Sequence, residues 1–112
     1  MILSDIAHHL DFHNFSETEL LKKDCTGAYS SDIMSDVLGY AKENQLWITI
    51  QHSNIAIAIA SSKKLSAILL TNGIVPTTET INISNREKIP ILGTNLSTFD
   101  TAGKLYNLFT TI

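Results

Sequence analysis

The sequence predicts an α/β domain, with helices layered on both faces of a small, largely parallel sheet. Three observations carry that reading. Short apolar runs at Leu46–Ile50, Ala67–Thr71 and Pro90–Leu92 have the pattern of covered strands. Segments with helical starts and apolar faces separate them. The connections of about ten to fifteen residues suit the crossover helices that parallel strands require.

The strand Thr26–Ser30 and the helix behind it show the pattern first. Gly27 is read as a position where a side chain would obstruct, and Ser31 or Asp32 as the cap of a helix whose apolar stripe is Ile33, Met34, Val37, Leu38 and Ala41. Asn44 suits a left-handed stop before Leu46–Ile50. Ile55 to Ala60, IAIAIA, fits two templates: strict alternation favours a strand, whereas His52-Ser53-Asn54 ahead of it and buried strands on either side favour a crossover helix. The helix is the reading adopted. Asn72-Gly73 closes the strand Ala67–Thr71 with a turn that tolerates positive φ.

Pro76 and Thr77 open a helix with Glu79 in its first turn and a thin apolar face, fit for the surface. Ser97-Thr98-Phe99-Asp100 resembles a capping box, and Phe99, Ala102, Leu105, Tyr106 and Phe109 are the expected core stripe of the last helix. Upstream, Ile2, Ile6 and Leu10 mark a short N-terminal helix capped by Ser4 or Asp5. Asp11–Phe15 alternates like a short strand, and Ser16–Glu19 starts one helical turn. Residues 1–112 form a single domain, a length that buries roughly two-thirds of the unfolded surface.

Composition narrows the functions. Charged residues are 17% of the chain against about 25% in ordinary proteins. Ser, Thr and Asn, at 11, 12 and 8, supply the polarity instead, compatible with a self-association face or with codon bias. The net charge is −3 and the eight basic residues are scattered, which argues against nucleic acid. The longest apolar run, Ile55–Ala60, is far short of the ~20 residues that span a bilayer, and the N-terminus lacks a signal-peptide pattern. A single cysteine excludes an internal disulfide. A cytoplasmic protein with no membrane partner and no cofactor is expected.

In open α/β sheets ligands bind beyond the carboxyl ends of the strands. That rule selects Ser30–Asp32, Gln51–Asn54, Asn72–Gly73 and Thr94–Asn95, and the candidate ligand residues are Ser31, Gln51, His52, Asn54, Asn72, Gly73 and Thr94. Each is also an ordinary cap or turn residue.

Asp24-Cys25-Thr26-Gly27-Ala28 resembles the D-R-T-G-G signature of the DRTGG domain family, and Tyr29 to Val37 is similar to the G-Y-V-S-D-L-L-S-D-V run of its small stand-alone members. Trp47–Gln51, Thr71-Asn72-Gly73, Ile89–Leu92 and Ser97–Asp100 continue the likeness. The resemblance implies a fold akin to the N-terminal domain of HPr kinase/phosphorylase and, more distantly, of Mur ligases. It implies a regulatory or dimer-forming module of the kind fused to CBS-domain pyrophosphatases and phosphotransacetylase-like proteins, with Thr26 and Gly27 added to the candidate ligand residues. It also implies, by gene neighbourhood, a hydrogenase-linked redox setting and a redox-enzyme partner. Cys25 and Ala28 depart from the signature and put any contact made there in doubt.

Two functions follow. The first is a non-catalytic regulatory or assembly module, a homodimer that senses a nucleotide-like or phosphorylated metabolite, with Trp47 and Tyr106 weighed as interface aromatics but read as core. It is supported by the absence of a G-x-x-x-x-G-K-[ST] phosphate loop, without which there is no kinase. The second is a small enzyme or accessory factor using Cys25 as nucleophile, His52 as base and the Ser/Thr-rich loops. Cys25 is more simply a small buried residue, and His8, His9 and His13 lack a closing ligand for zinc and read as solvated.

Overall fold

A computed structural model describes residues 1–111. In chain order the elements are α1 (Leu3–His9), β1 (His13–Asn14), a 3-10 turn (Thr18–Leu21), β2 (Gly27–Ser30), α2 (Met34–Tyr40), β3 (Gln45–Thr49), α3 (Asn54–Ser62), β4 (Ala67–Leu70), α4 (Thr78–Glu87), β5 (Ile91–Gly93) and α5 (Thr98–Thr110). The strands form one sheet in the order β1-β5-β4-β3-β2. β2 to β5 are parallel, and β1 returns antiparallel on β5 with His13 opposite Gly93.

From β2 to β5 each step moves to the next strand in one direction. Crossovers of constant hand then place their helices on a single face, and α2, α3 and α4 share one. Trp47, Ile68, Leu70 and Ile91 pack there with Val37, Ala56, Ile57 and Ala60. The alternate strand residues Leu46, Ile48, Ala67, Leu69 and Leu92 point to the other face and pack with Leu3 and Ile6 of α1 and Leu105 of α5. Period two thus divides the strand residues between two cores. IAIAIA is helical, its Ala56, Ile57, Ile59 and Ala60 buried and Ile55 and Ala58 outward.

Helix phases and caps differ from the expectations at several places. α1 buries Leu3, Ile6 and Ala7, Ile2 is exposed, and neither Ser4 nor Asp5 caps it: Ile2 holds the cap position without a side-chain bond. Ile33, not Ser31 or Asp32, precedes α2, and Ile33 and Leu38 are exposed. A Cβ at Gly27 would meet nothing within 4 Å, so no obstruction calls for glycine there. In α5, Phe99 is 86% and Tyr106 73% exposed, whereas Thr101 is fully buried. Thr101 tolerates this because its hydroxyl donates to the Ser97 carbonyl at 2.7 Å. Trp47 is fully buried, so of the two aromatics weighed for the interface, Trp47 lies in the core and Tyr106 does not.

The caps of the last two helices agree with the reading. Thr77 Oγ1 accepts the Thr80 amide and Ser97 Oγ the Asp100 amide. Asn72 and Gly73 have φ of 59° and 72°. α1, α3 and α4 end without glycine: Asp11, Lys64 and Lys88 hold the left-handed position, and 6→1 bonds run from Phe12 to Ala7, Leu65 to Ala60 and Ile89 to Ser84. Among the described residues no helix is long and apolar enough to cross a membrane.

Candidate functional site

The topology decides which strand ends can open. The connections leaving β2, β3 and β4 all turn to the α2–α4 face, so the ends of β2 and β3 lie under adjacent loops that pack together. β5 instead leads to α5 on the opposite face. The loops after β4 and β5 therefore lead to helices on opposite faces, the condition that creates a crevice in an open sheet. Antiparallel β1 completes it, because pairing of His13 with Gly93 brings the α1–β1 connection to the carboxyl end of β5.

A cleft of about 600 Å³ lies there. Ile74 and Val75 from the β4 loop, Leu96 from the β5 loop, and Leu10 and Phe15 form apolar walls; Asp11, His13, Thr94 and Asn95 supply polar groups. The two loops are held together by backbone bonds, Asn72 N–H to Leu96 O and Gly73 N–H to Thr94 O, both 2.9 Å. Gly73 is favoured by its φ of 72°, and a Cβ there would also sit 3.0 Å from Oδ1 of the exposed Asn95 side chain. Gly93 is required by the aromatic wall, since a Cβ would come within 2.6 Å of the Phe15 ring. His13 meets Phe15 edge-on, ring centroids 4.6 Å apart.

The other candidate residues are engaged elsewhere. At the ends of β2 and β3, Trp47 Nε1 donates to Ser31 O and Gln51 Nε2 to Asp32 O, each at 2.8 Å, and His52 Nδ1 lies 3.1 Å from Ile50 O. Asn54 bridges to α4, accepting the Thr80 hydroxyl at 2.8 Å and donating to Glu79 at 3.3 Å. Thr26 and Gly27 lie at the amino end of β2, the far end of the sheet. The structure therefore brings Gly73 and Thr94 together in the cleft, with Asn72 in the turn behind. It leaves Ser31, Gln51, His52 and Asn54 beside α2 to α4, and Thr26 and Gly27 apart from both groups.

Asp11 and Phe15 escaped the sequence reading because their place depends on the non-local pairing of β1 with β5. The alternation of Asp11–Phe15 was the available signal, and it marked a strand without saying where the strand lies.

Cys25 and His52 stand at opposite ends of the sheet, which removes the nucleophile–base pair. Cys25 is fully buried, and burial pushes its thiol above the ordinary value, favouring the unreactive neutral form; Sγ donates to Gly27 O at 3.4 Å. No group of three His, Cys, Asp or Glu among the described residues could hold a metal ion.

A second groove of about 420 Å³ runs between edge strand β2 and α5. Gly27 and Ala28 form its floor, Ala102, Tyr106 and Phe109 its wall.

A family model for the DRTGG domain matches residues 5–108. The chain belongs to the DRTGG domain family. Among solved structures it is similar to the crystal structure of the CBS and DRTGG domains of the regulatory region of Clostridium perfringens pyrophosphatase, complexed with its activator diadenosine tetraphosphate. The TM-score is 0.73 at 21% identity, over 92% of this chain and 44% of that one, which shows a shared fold. This DRTGG domain thus spans less than half the length of that structure. No curated protein matches it in sequence.

The signature segment of this DRTGG domain, Asp24–Ala28, lies outside the β4/β5 cleft. It enters β2 from an isolated antiparallel bridge between Asp24 and Ile2, turns Cys25 into the core and exposes Gly27 and Ala28 to the second groove.

Proposed function

We propose that this DRTGG domain is a non-catalytic regulatory module that binds a nucleotide-like ligand in the β4/β5 cleft and works as a homodimer. One observation carries the ligand site. The loops after β4 and β5 leave a cleft with apolar walls whose exposed Asp11 and Asn95 side chains make no hydrogen bond among the described residues, while Asp32, Thr49 and Gln51 at the β2 and β3 ends are bonded to one another. The activator held by the similar regulatory region supports a sensing role.

The dimer reading draws on the other edge of the sheet. β2, Gly-Ala-Tyr-Ser, is an outer strand without charge or proline, the devices that usually protect an edge from pairing. Beside it α5 presents Phe99 and Tyr106 outward with Gly103 between them. A second copy adding its own β2 would cover both. The redox setting draws on the family resemblance alone; co-purification with redox-enzyme subunits would support it.

The test is a thermal-shift screen against nucleosides, nucleotides, dinucleotides, UDP-sugars and phosphorylated acids. A ligand at one hundred times its Kd adds about 2.7 kcal/mol, a rise of roughly 10 °C or more in a domain of this size. No shift across the panel would sink the sensor reading. Sedimentation at micromolar concentration, with Tyr106→Lys as the comparison, tests the dimer; a clean monomer refutes it.

A further inference from the structure

We infer that the β4/β5 cleft takes the nucleoside end of its ligand, base and ribose, and leaves any phosphates outside. The inference rests on the ligand-sensing reading above and specifies its chemistry. Charge is the first argument. No lysine or arginine lines the cleft, and its titratable residues are Asp11 and His13, the latter set edge-on to Phe15. A phosphate placed there would meet a carboxylate and no lysine or arginine to offset it. The helix starts available to hold an anion already carry acids in their first turns, Glu79 in α4 and Asp100 in α5. A phosphate loop is absent as well: the β4 turn, Thr71-Asn72-Gly73-Ile74, commits both its Asn72 and Gly73 amides to the β5 loop.

Shape and polarity supply the second argument. Phe15, Ile74, Val75 and Leu96 form apolar walls around a space of about 600 Å³, within the range of roughly 300–1,000 Å³ that small-molecule sites occupy. A nucleobase offers two flat apolar faces to such walls. Its edge carries donors and acceptors, and the Asn95 amide offers one of each. Asp11, its carboxylate without a partner among the described residues, suits the paired hydroxyls of a ribose, the role an acidic residue takes in dinucleotide sites. Most of the interaction is then neutral or involves the single carboxylate, so affinity should depend little on salt.

The test is calorimetry on the full chain with the four ribonucleosides, their 5′-mono- and triphosphates, and inorganic pyrophosphate, at low and high salt. At least one nucleoside should bind within about tenfold of its triphosphate, and pyrophosphate should not compete. Asp11→Asn, which keeps the shape and tolerates the same left-handed backbone, should weaken that nucleoside by about tenfold or more, as should Asn95→Ala. Amide resonances of residues 73 and 93–96 should shift on binding.

Nucleotides that bind while their nucleosides do not, competition by pyrophosphate, or nucleoside binding indifferent to Asp11→Asn and Asn95→Ala would each overturn the inference and leave the sensor reading standing. Failure of every compound in the panel would remove both.

Discussion

Asp32 Oδ1 accepts the Thr49 hydroxyl at 2.9 Å and the Ile50 amide at 3.0 Å, so one carboxylate oxygen fastens the loop after β2 to the carboxyl end of β3. The Thr49 hydroxyl accepts the Gln51 amide in turn, also at 3.0 Å, and Gln51 reaches back to Asp32 O. This closed ring joins the Asp32, Thr49 and Gln51 groups of a region rich in hydroxyls and amides to one another. Its polar groups are already spent on joining two loops.

Asp32→Ala should therefore act on stability and leave the β4/β5 cleft intact. Thr49 is fully buried, and removing its acceptor leaves a hydroxyl and a backbone amide without their partner, a loss of about 1–3 kcal/mol. Denaturant titration should show a lower midpoint with unchanged slope. Ligand affinity at the cleft should match that of the wild type; a large affinity loss would mean that the two ends of the sheet edge are coupled.

Three glycine-to-alanine changes should give different signs. Gly73→Ala meets both a φ of 72° and the Asn95 side chain at 3.0 Å, and should lose about 1 kcal/mol or more. Gly93→Ala forces the Phe15 ring away from 2.6 Å and should lose about 1–3 kcal/mol while shifting the cleft wall. Gly27→Ala meets open space and should stabilise the strand by about 0.5–1 kcal/mol. Equal effects at all three in thermal unfolding would contradict the packing described.

These contrasts mark how far the chain was legible. The helical reading of IAIAIA succeeded because chain connectivity between parallel strands outweighed local alternation. The caps at Ser97 and the Asn72-Gly73 turn succeeded because their chemistry is local. The stripe of α5 held at Ala102, Leu105 and Phe109 but not at Phe99 and Tyr106, which face out, while Thr101 becomes buriable because its hydroxyl finds the Ser97 carbonyl. Of the cleft, Gly73 and Thr94 followed from the strand-end rule. Asp11 and Phe15 required knowing that β1 runs back along β5, a relation no local pattern contains.

Cys25 should make the domain less stable in alkali. Burial raises its folded pKa above the ordinary 9.0, so the native state keeps a proton that the unfolded chain gives up. That contribution is complete below about pH 9 and declines as pH rises towards the folded value. Tyr29, raised by its hydrogen bond to Asp36 at 2.7 Å, adds a decline of the same sign from its ordinary 10.0 upward. Cys25→Ala should flatten the first part of the curve. In the wild type, alkylation of the thiol should await unfolding, and rapid modification of native protein would contradict its burial.

Asp11 offers a test in which stability and binding move in opposite directions. It ends α1 at φ 58°, the position glycine holds at many helix ends, with its own amide bonded to His8 O and that of Phe12 to Ala7 O. Lys64 and Lys88 occupy the same position after α3 and α4 at φ 54° and 60°. Asp11→Gly, Lys64→Gly and Lys88→Gly each relieve a left-handed side-chain residue and should raise the unfolding free energy by roughly 0.5–1 kcal/mol. Only the first removes a carboxylate from the cleft, so only the first should weaken the nucleoside. A residue kept at some expense to the fold, and missed by the ligand when it is gone, is what a binding group in a strained position predicts. If all three glycines stabilise alike and none disturbs binding, Asp11 belongs to the helix end and not to the ligand.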